Sequence, residues 1–466
     1  MSIWDIMRIS TSSLRANQTA IEVTSHNVAN MNTDGYARQS ASLEPDVPRQ
    51  QGNIYLGSGV LVANIQRAED RYIYYNLIVA SSSLGAQDTK TSGLDYLQEI
   101  FNEQSSEGIS SALDDFWNSW SDLAASPEGR PERSALVGTT EIMITEFHNA
   151  NSRLRDLQNN SNNEIKYIVE DINLITEQIA DLNVRVQQME AAGQSAGDYR
   201  TERNVLMQEL ATKINYTYFE DANGMVTINL AGGLPLVEQT TVSTIDLQAN
   251  PANNGYYDVV LVSKQGNEFN ITNDISGGEI YGHLQVRDNY TEDMLDRLDE
   301  LAYALIDEVN AIHVTGYGLN GATGNNFFSP LASADDASAL ISLDAAITGD
   351  LNNIAAALTN NTGDNQIANQ LAALRDASTM GGGTSTFATF YSSMVADIGV
   401  ETQNAMREYT HTESVIAQME NMRESQTGVV LEEEMANLIR FQQAYQAAAR
   451  VINTASDMIE VLSNLR

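Results

Sequence analysis

Near its carboxyl end the sequence reads LIRFQQAYQAAARVINTASDMIEVL from Leu438 to Leu462. Its apolar residues recur at alternating steps of three and four, a spacing that places them in one line along a helix. We call this line the C-terminal seam. It consists of Leu438, Phe441, Tyr445, Ala448, Ile452, Ala455, Ile459 and Leu462. The spacing predicts a coiled-coil helix that continues almost to the last residue.

The other end of the chain has a weaker seam of the same period. Its apolar members are Ile3, Met7, Leu14, Ile21 and Val28, and they alternate with Ser10, Asn17 and Thr24. A seam with one polar residue in every pair stabilises an isolated helix poorly. The sequence therefore predicts an N-terminal helix that orders only against partners.

Three internal segments repeat the helical rhythm and the stretch between them does not. The helical segments run from Ile165 to Met189, from Leu298 to Ile312 and from Tyr391 to Met419. Long helices drawn from both halves of a chain are expected to pack as a bundle.

The segment from about Ile214 to Val286 has the pattern of strands. Apolar and aromatic residues at alternating positions lie on both sides of the turn signal Asn223-Gly224 and predict one hairpin. Two short apolar runs at 257–262 and 269–271 predict another. The segment 316–383 is rich in Ala, Asn, Gly and Thr and predicts loops with short helices that cover a surface. The predicted fold class is mainly α with an inserted β domain.

Charge and composition restrict the function. The chain has 466 residues, 25 Lys and Arg against 62 Asp and Glu, a formal net charge of −37 and no cysteine. Such a polyanion is repelled by nucleic acid and by anionic membranes, so neither is an expected partner. Without cysteine there are no disulfides, thiolate metal sites or cysteine nucleophiles. The acidity is typical of a saline habitat, but also of an ordinary exported surface.

The amino-terminal residues do not read as a Sec-type signal peptide, because no basic stretch precedes an unbroken apolar run. No apolar run approaches the roughly 20 residues needed to span a bilayer. We therefore expect a protein that leaves the cell, if it does so, by another route.

No constellation of catalytic residues emerges. His26, His148, His283, His313 and His411 lack the i, i+4 spacing of a metal pair, and each is interpreted as a surface or helix-end residue. The run Glu432–Glu434 is compatible with a cation site, but a solvated first helical turn that complements the helix dipole is favoured. We predict no catalytic, cofactor-binding or metal-binding residue and no enzymatic activity.

The strongest local motif is SHNVANMNTDGYAR, residues 25–38. Asparagines and a glycine that accepts positive φ are typical of a helix C-terminus, and that is the first interpretation. The motif also closely resembles the amino-terminal signature of bacterial flagellar axial proteins of the rod, hook and hook-associated class. The matching residues are Asn27, Ala29, Asn30, Asn32, Thr33, Gly35, Tyr36 and Arg38.

The resemblance continues in order along nearly the whole chain. Segments that resemble this class, and towards the end its hook-associated members, are 126–137, 200–210, 311–321 leading to Phe327-Phe328, and 428–445. Larger members have a further β-rich insertion after the Phe-Phe motif, whereas Ala-rich sequence follows it here. The resemblance therefore implies a single outer domain.

The resemblance implies nested domains. The terminal coiled coil comprises 1–33 and 430–466, is disordered in the free monomer and orders on assembly. A long-helix bundle comprises 34–213 and 287–429, with its loop-rich segment at 316–383, and 214–286 forms a small outer β domain. The expected assembly interface is the two seams, in particular Leu14, Ile21, Val28, Leu438, Phe441, Tyr445, Ile452, Ile459 and Leu462.

The implied function is a structural adaptor ring between hook and filament, exported by the flagellar type III system. Its implied partners are further copies of itself, hook protein, hook-associated protein 3 and an export chaperone. Two alternatives stay open: another axial subunit, such as hook-associated protein 3, hook or filament protein, or a secreted adhesin or enzyme on a helical stalk. The second would need a cleft of polar groups in 214–286.

Overall fold

A computed structural model describes residues 3–51, 54–101 and 108–464. The helices, in chain order, are α1 (Ile3–Ala29), α2 (Arg71–Ile100), α3 (Ile109–Ala125), α4 (Arg130–Ala191), α5 (Gly197–Lys213), α6 (Gly278–Gln285), α7 (Thr291–His313), α8 (Ala337–Leu340), α9 (Ala345–Gly349), α10 (Gln366–Ala373), α11 (Phe387–Thr427) and α12 (Leu431–Asn464). The predicted fold class, mainly α with an inserted β domain, is confirmed.

The strands are short and all of their pairings are antiparallel. They are β1 (Gln39–Pro45), β2 (Arg49–Gln51), β3 (Ile54–Leu56), β4 (Val60–Arg67), β5 (Thr217–Glu220), β6 (Val226–Asn229), β7 (Pro235–Glu238), β8 (Thr241–Val242), β9 (Thr244–Ala249), β10 (Tyr257–Val262) and β11 (Glu268–Asn270). β1 pairs with β4 and β2 with β3, while the inserted segment forms the sheets β5-β6-β7-β8 and β11-β10-β9.

The two hairpins expected in the inserted segment are present as β5–β6 and β10–β11. The strands β1 to β4 lie where the sequence analysis assigned residues to the helical bundle. Pro45 and Pro48 break any helix in that stretch. The β-branched residues Val60, Val62 and Ile65 of β4 suit a strand instead.

The chain is divided into two compact units. The first contains the described residues within Met1–Gly85, Ile168–Gly278 and His411–Arg466, and the second contains those within Ala86–Tyr167 and Glu279–Thr410. The first unit thus holds the terminal helices together with the inserted strands. The nested three-domain boundaries stay a prediction.

In the first unit, two asparagines of α4 attach the inserted strands to the helix. Asn173 donates from Nδ2 to the carbonyl of Ile245 (2.8 Å) and accepts the N–H of the same residue (2.9 Å). Asn183 makes the same pair of bonds to Val226, at 2.8 and 3.1 Å. A side-chain amide that pairs with both backbone groups of one residue acts like a further strand residue, so it fixes where the sheet lies along α4.

In the second unit, α3 supplies an aromatic core. Phe116, Trp117 and Trp120 pack with Phe327, Phe328 and Phe387. Asn310 of α7 accepts the N–H groups of Phe327 and Phe328 and donates to the carbonyl of Phe328. The segment 316–383 is made of loops and short helices as expected. It does not merely cover a surface, because Phe327, Phe328 and Ile341 are fully buried.

Arg133 explains the local sequence motif at 126–137. Its guanidinium is buried and donates to the carbonyls of Pro127, Leu351 and Ile354, at 2.7, 3.3 and 2.6 Å. The carbonyl of Leu351 also accepts the N–H of Ile354, at 3.3 Å. These carbonyls belong to loop and helix ends, and one planar five-donor group bonds to all three of them together.

His313, the last residue of α7, was expected at a helix end and is also completely buried. Its Nδ1 lies 2.8 Å from the carbonyl of Asn325, and its Nε2 accepts the N–H of Ala355 at 2.8 Å. The imidazole is therefore neutral, with its proton on Nδ1. Burial lowers its pKa from 6.5 to about 4.

We predict that replacing Asn183 with leucine loosens the attachment of the inserted strands. The substitution leaves the buried N–H and C=O of Val226 without their partner, and each such group costs about 1–3 kcal/mol. The amide of Val226 should exchange with solvent at least tenfold faster in hydrogen-exchange mass spectrometry. Gln187→Leu, on an exposed position one turn further along α4, should leave that rate unchanged.

We predict that His313 makes the second unit less stable in acid. The pKa of this histidine is lower in the folded chain than in the unfolded one. Its contribution to the free energy of unfolding is therefore fully present above pH 6.5 and is lost as the pH falls towards 4. The loss from this group is about 3 kcal/mol. His313→Gln should be less stable at pH 7 and show a flatter dependence of unfolding free energy on pH, measured by urea denaturation. His411→Gln, at an exposed position, should retain the wild-type slope.

Candidate assembly site

The signature of residues 25–38 ends α1 and turns the chain. α1 ends at Ala29, and the N–H of Asn30 donates to the carbonyl of His26 at 3.1 Å. Gly35 has φ of 71°, and a Cβ at this position would lie 2.7 Å from a methyl group of Val205. The helix-stop interpretation is therefore confirmed, and Gly35 is required by both its φ and its close approach to α5.

The same signature builds a buried polar cluster, with Asn27 at its centre. Asn27 donates from Nδ2 to the carbonyl of Gln39 (2.8 Å) and to Oε2 of Glu434 (3.0 Å), while its Oδ1 accepts the N–H of Gln39 (3.0 Å). The hydroxyl of Tyr36 also donates to Oδ1, at 2.9 Å. This one amide therefore joins α1, β1 and the first turn of α12.

Glu434 corrects the interpretation of the run 432–434 as a solvated turn. Its side chain is 2% exposed, whereas that of Glu433 is 63% exposed. Its Oε1 accepts from Nε of Arg38 at 2.7 Å. The carboxylate is buried because a guanidinium and an amide replace its hydration, and such charge-assisted bonds are the strong ones. Sequence alone could not distinguish Glu434 from its two acidic neighbours.

A second branch extends the cluster to the start of α5. Nδ1 of His26 lies 3.0 Å from the hydroxyl of Tyr36, and Gln39 donates from Nε2 to Asp198 at 2.7 Å. Since the Tyr36 hydroxyl gives its hydrogen to Asn27, it accepts one from His26. Burial, followed by the charges of Asp198 and Glu434, raises the pKa of Tyr36 to about 12. The hydroxyl therefore keeps its proton and continues to donate.

The remaining signature residues support the turn from outside. Asn30 is half-buried and donates from Nδ2 to the carbonyl of His26, and Asn32 is exposed. The cluster residues that the sequence analysis missed are Gln39, Asp198 and Glu434. Gln39 follows the signature directly, so its position was the only hint.

The terminal helices meet differently from the predicted seams. α1 packs against α12, and its buried residues are small or polar, with one valine: Ser10, Ala16, Asn17, Ala20, Val23, Thr24 and Asn27. The polar seam positions, expected to weaken the helix, are thus its buried face. Leu14, Ile21 and Val28 are only half-buried.

On α12 the residues of the predicted interface are largely accessible. Leu438, Phe441, Ile452 and Ile459 are half-buried, and Tyr445 and Leu462 are exposed. The described side chains that are buried on this helix are Glu434, Ala448 and Ala455, which lie on one line at multiples of seven residues. The two helices therefore approach through small and polar residues, and their larger apolar side chains flank the contact.

No helix among the described residues is long and apolar enough to cross a membrane. Across 3–51, 54–101 and 108–464, no group of three or more His, Asp or Glu residues is arranged to hold a metal ion.

Comparison with known proteins identifies matches along most of the chain. Residues 94–328 match the family described as the flagellar hook-associated protein FlgK helical domain. Residues 7–36, which include most of the signature, match the flagella basal body rod protein family, and 414–465 match the C-terminal family of the basal body rod proteins FlgEFG.

Full-length relatives agree with these matches. The chain is 29% identical to flagellar hook-associated protein 1 of Bacillus subtilis, covering 97% of this chain and 96% of the relative. It is 26% identical to the protein of the same name from Escherichia coli, covering 98% of both. That alignment spans 545 positions, more than the 466 residues of this chain, so the relative has residues that this chain lacks.

A solved structure has the same fold. The flagellar hook junction protein FlgK from Burkholderia pseudomallei superimposes with a TM-score of 0.68 at 13% identity, covering 75% of this chain and all of that chain. The fold and the terminal matches are those of a structural component of the extracellular bacterial flagellum. Because the helical-domain match spans half of its residues, the chain belongs to the FlgK family of flagellar hook-associated proteins.

We predict that Glu434→Gln releases the first turn of α12 from the signature. The glutamine places its N–H₂ group against a donor of either Asn27 or Arg38, and it removes the carboxylate that lies 2.7 Å from the Arg38 guanidinium, at a cost of about 2–3 kcal/mol. Amides of residues 432–438 should exchange roughly tenfold or more faster, since each 1.4 kcal/mol is a factor of ten. Glu432→Gln, at an exposed position of the same turn, is the matched control, and equal exchange in the two variants would show that the cluster does not hold α12.

Proposed function

We propose that this protein joins the hook to the filament of the bacterial flagellum and that its copies assemble through their terminal helices. The observation that carries the proposal is the width of the apolar face of α12. Three neighbouring rows of a heptad repeat are mainly apolar: one contains Phe441, Ala448 and Ala455, the second Leu438, Tyr445, Ile452 and Ile459, and the third Ala444, Val451 and Met458. The buried residues among those described on α12, namely Glu434, Ala448 and Ala455, all belong to the first row.

A helix with one covered row and two apolar flanks needs further apolar surfaces on both sides. Additional copies of the same chain supply such surfaces in an axial assembly. Leu14, Ile21 and Val28 of α1, with Leu438, Phe441, Tyr445, Ile452, Ile459 and Leu462 of α12, are the proposed interface. Their partial or full exposure in the single chain supports this role over that of an ordinary intrachain core.

The charge distribution supports the same interface. α1 contains two acidic and two basic residues, and α12 contains five acidic and two basic residues, so together they carry three of the 37 net negative charges. Copies of a strongly acidic chain can therefore meet through these helices with little repulsion, while the other segments carry the acidity.

The finer parts of the proposal follow the family resemblance. Copies form a ring, with hook protein on one side and hook-associated protein 3 on the other. The chain is exported unfolded through the type III system with the help of a chaperone, and its terminal helices order on assembly. The covered centre of the helix pair is built of small and polar residues, which supports ordering that depends on neighbours. The role is structural and requires neither catalysis nor a cofactor.

We predict that Ile452→Asp combined with Ile459→Asp abolishes assembly. Each isoleucine contributes about 1.5–3 kcal/mol when fully buried, and an aspartate at an interface adds a desolvation cost. Labelled protein should be absent from hook tips in electron micrographs, and cells should be non-motile. The control is the double variant Asn453→Asp with Thr454→Asp, which adds the same charge at exposed positions of the same helix. Normal assembly of the double isoleucine variant would contradict the interface.

The junction role itself is tested by deleting the gene. The expected cells have hooks without filaments and release filament protein into the medium. A strain with normal filaments would contradict the proposed function.

A further inference from the structure

The strands β1 to β4 form a narrow ribbon that leaves large apolar side chains in solvent. We call residues 39–51 and 54–67 the ribbon. It consists of the pairs β1–β4 and β2–β3, and the N–H of Asp46 donates to the carbonyl of Gly59 at 3.0 Å between them. Two-stranded sheets are marginally stable in water unless another element covers a face.

One side of the ribbon is fastened to α1. Arg8 donates to the hydroxyl of Ser58 at 3.2 Å, Asp5 lies 3.6 Å from Arg49, and Asn27 pairs with Gln39 at the base. Gly59 has φ of 116°, and a Cβ there would collide with Ser12. The ribbon is therefore held in a fixed position on the terminal helix and is not a loose loop.

Several large apolar side chains of the ribbon are exposed to solvent. Val47 is 77%, Tyr55 71% and Ile54 60% exposed, and Leu43 and Leu61 are exposed as well. Strand pairing alone explains none of this apolar surface, and a cluster of large exposed apolar residues on one small element marks an interaction site.

We infer that the ribbon docks on the apolar flanks of the terminal helices of a second copy of this chain. The inference rests on the proposed function, because it requires copies that assemble side by side. Charge selects a second copy as the occupant: the ribbon has two acidic and two basic residues and no net charge, in a chain of −37. A basic partner would be drawn to the acidic segments, whereas two copies of a polyanion meet best where neither carries net charge.

The acceptor surface on the second copy is present in the same unit. On α12, the large side chains of Tyr445 in the second row and of Val451 and Met458 in the third row are exposed, and no described element of the single chain covers these three residues. In a single copy, the exposed apolar side chains of the ribbon and those of the α12 flanks are both uncovered. Packing the ribbon of one copy against α12 of another would remove both surfaces from water.

The test uses the absence of native cysteine. Tyr55→Cys introduces the single thiol of the full-length chain, which is labelled with a maleimide–benzophenone photocrosslinker before assembly onto isolated hooks. Irradiation should give a product of twice the chain mass whose crosslinked peptide lies in 3–29 or 431–464. Phe219→Cys, an exposed aromatic position on β5, should give no adduct to those segments. Adducts only to hook or filament protein, or no product of doubled mass, would overturn the inference.

A second variant measures the effect on assembly. Ile54→Asp combined with Tyr55→Asp should reduce the amount of protein retained at hook tips by about tenfold or more, because two apolar side chains lose their burial. Circular dichroism of the secreted variant should match wild type, and Phe219→Asp should assemble normally. Wild-type retention of the ribbon variant would overturn the docking. If the ribbon variant assembled normally while the Ile452/Ile459 variant still failed to assemble, the proposed function would stand without the docking of the ribbon.

Discussion

An asparagine that bonds to both backbone groups of one distant residue recurs at four places where a described helix of this protein holds another segment. Asn27 does so with Gln39, Asn173 with Ile245, Asn183 with Val226 and Asn310 with Phe328. The amide has a donor and an acceptor at the spacing of a peptide group, so it completes the hydrogen bonding of a strand or loop against a helix that has no free backbone groups of its own. A shift by one residue would leave all of these groups unsatisfied in a buried place. The bonds therefore fix register where apolar packing alone would tolerate sliding.

At the terminal helices the same polar bonding frees the apolar residues for other contacts. Asn27, Arg38 and Glu434 hold α12 against the end of α1, and the buried centre of the pair needs only small side chains. The larger apolar residues consequently lie on the flanks, on a part of the chain with little net charge. If the large apolar residues of α1 and α12 were buried between these two helices, they would not be available for contacts with neighbouring copies. Polar bonds that hold the helix pair, together with accessible apolar flanks, suit a member of a flagellar family whose role depends on assembly.

The helices and hairpins were predictable because their signals are local. The three- and four-residue steps in 438–462 and the turn at Asn223-Gly224 gave helix and hairpin where the structure has them. The strands of 39–67 were missed, because a ribbon with exposed apolar residues lacks the clean alternation of a half-buried sheet. The loop-rich segment was interpreted as a cover, although Phe327 and Phe328 enter the core, because composition does not reveal which residues of a loop face inward.

The sequence by itself determined the helical frame, the inserted strands, the position of the signature turn and the family resemblance. Each of these depends on residues close together along the chain, where spacing and backbone preference act directly. Tertiary structure decided which residues do the joining. Glu434 is buried and Glu433 is not, although they are neighbours of the same kind, because only Glu434 accepts hydrogen bonds from both Asn27 and Arg38, some 400 residues earlier in the chain. Contacts of that separation depend on the whole fold, and no local pattern encodes them.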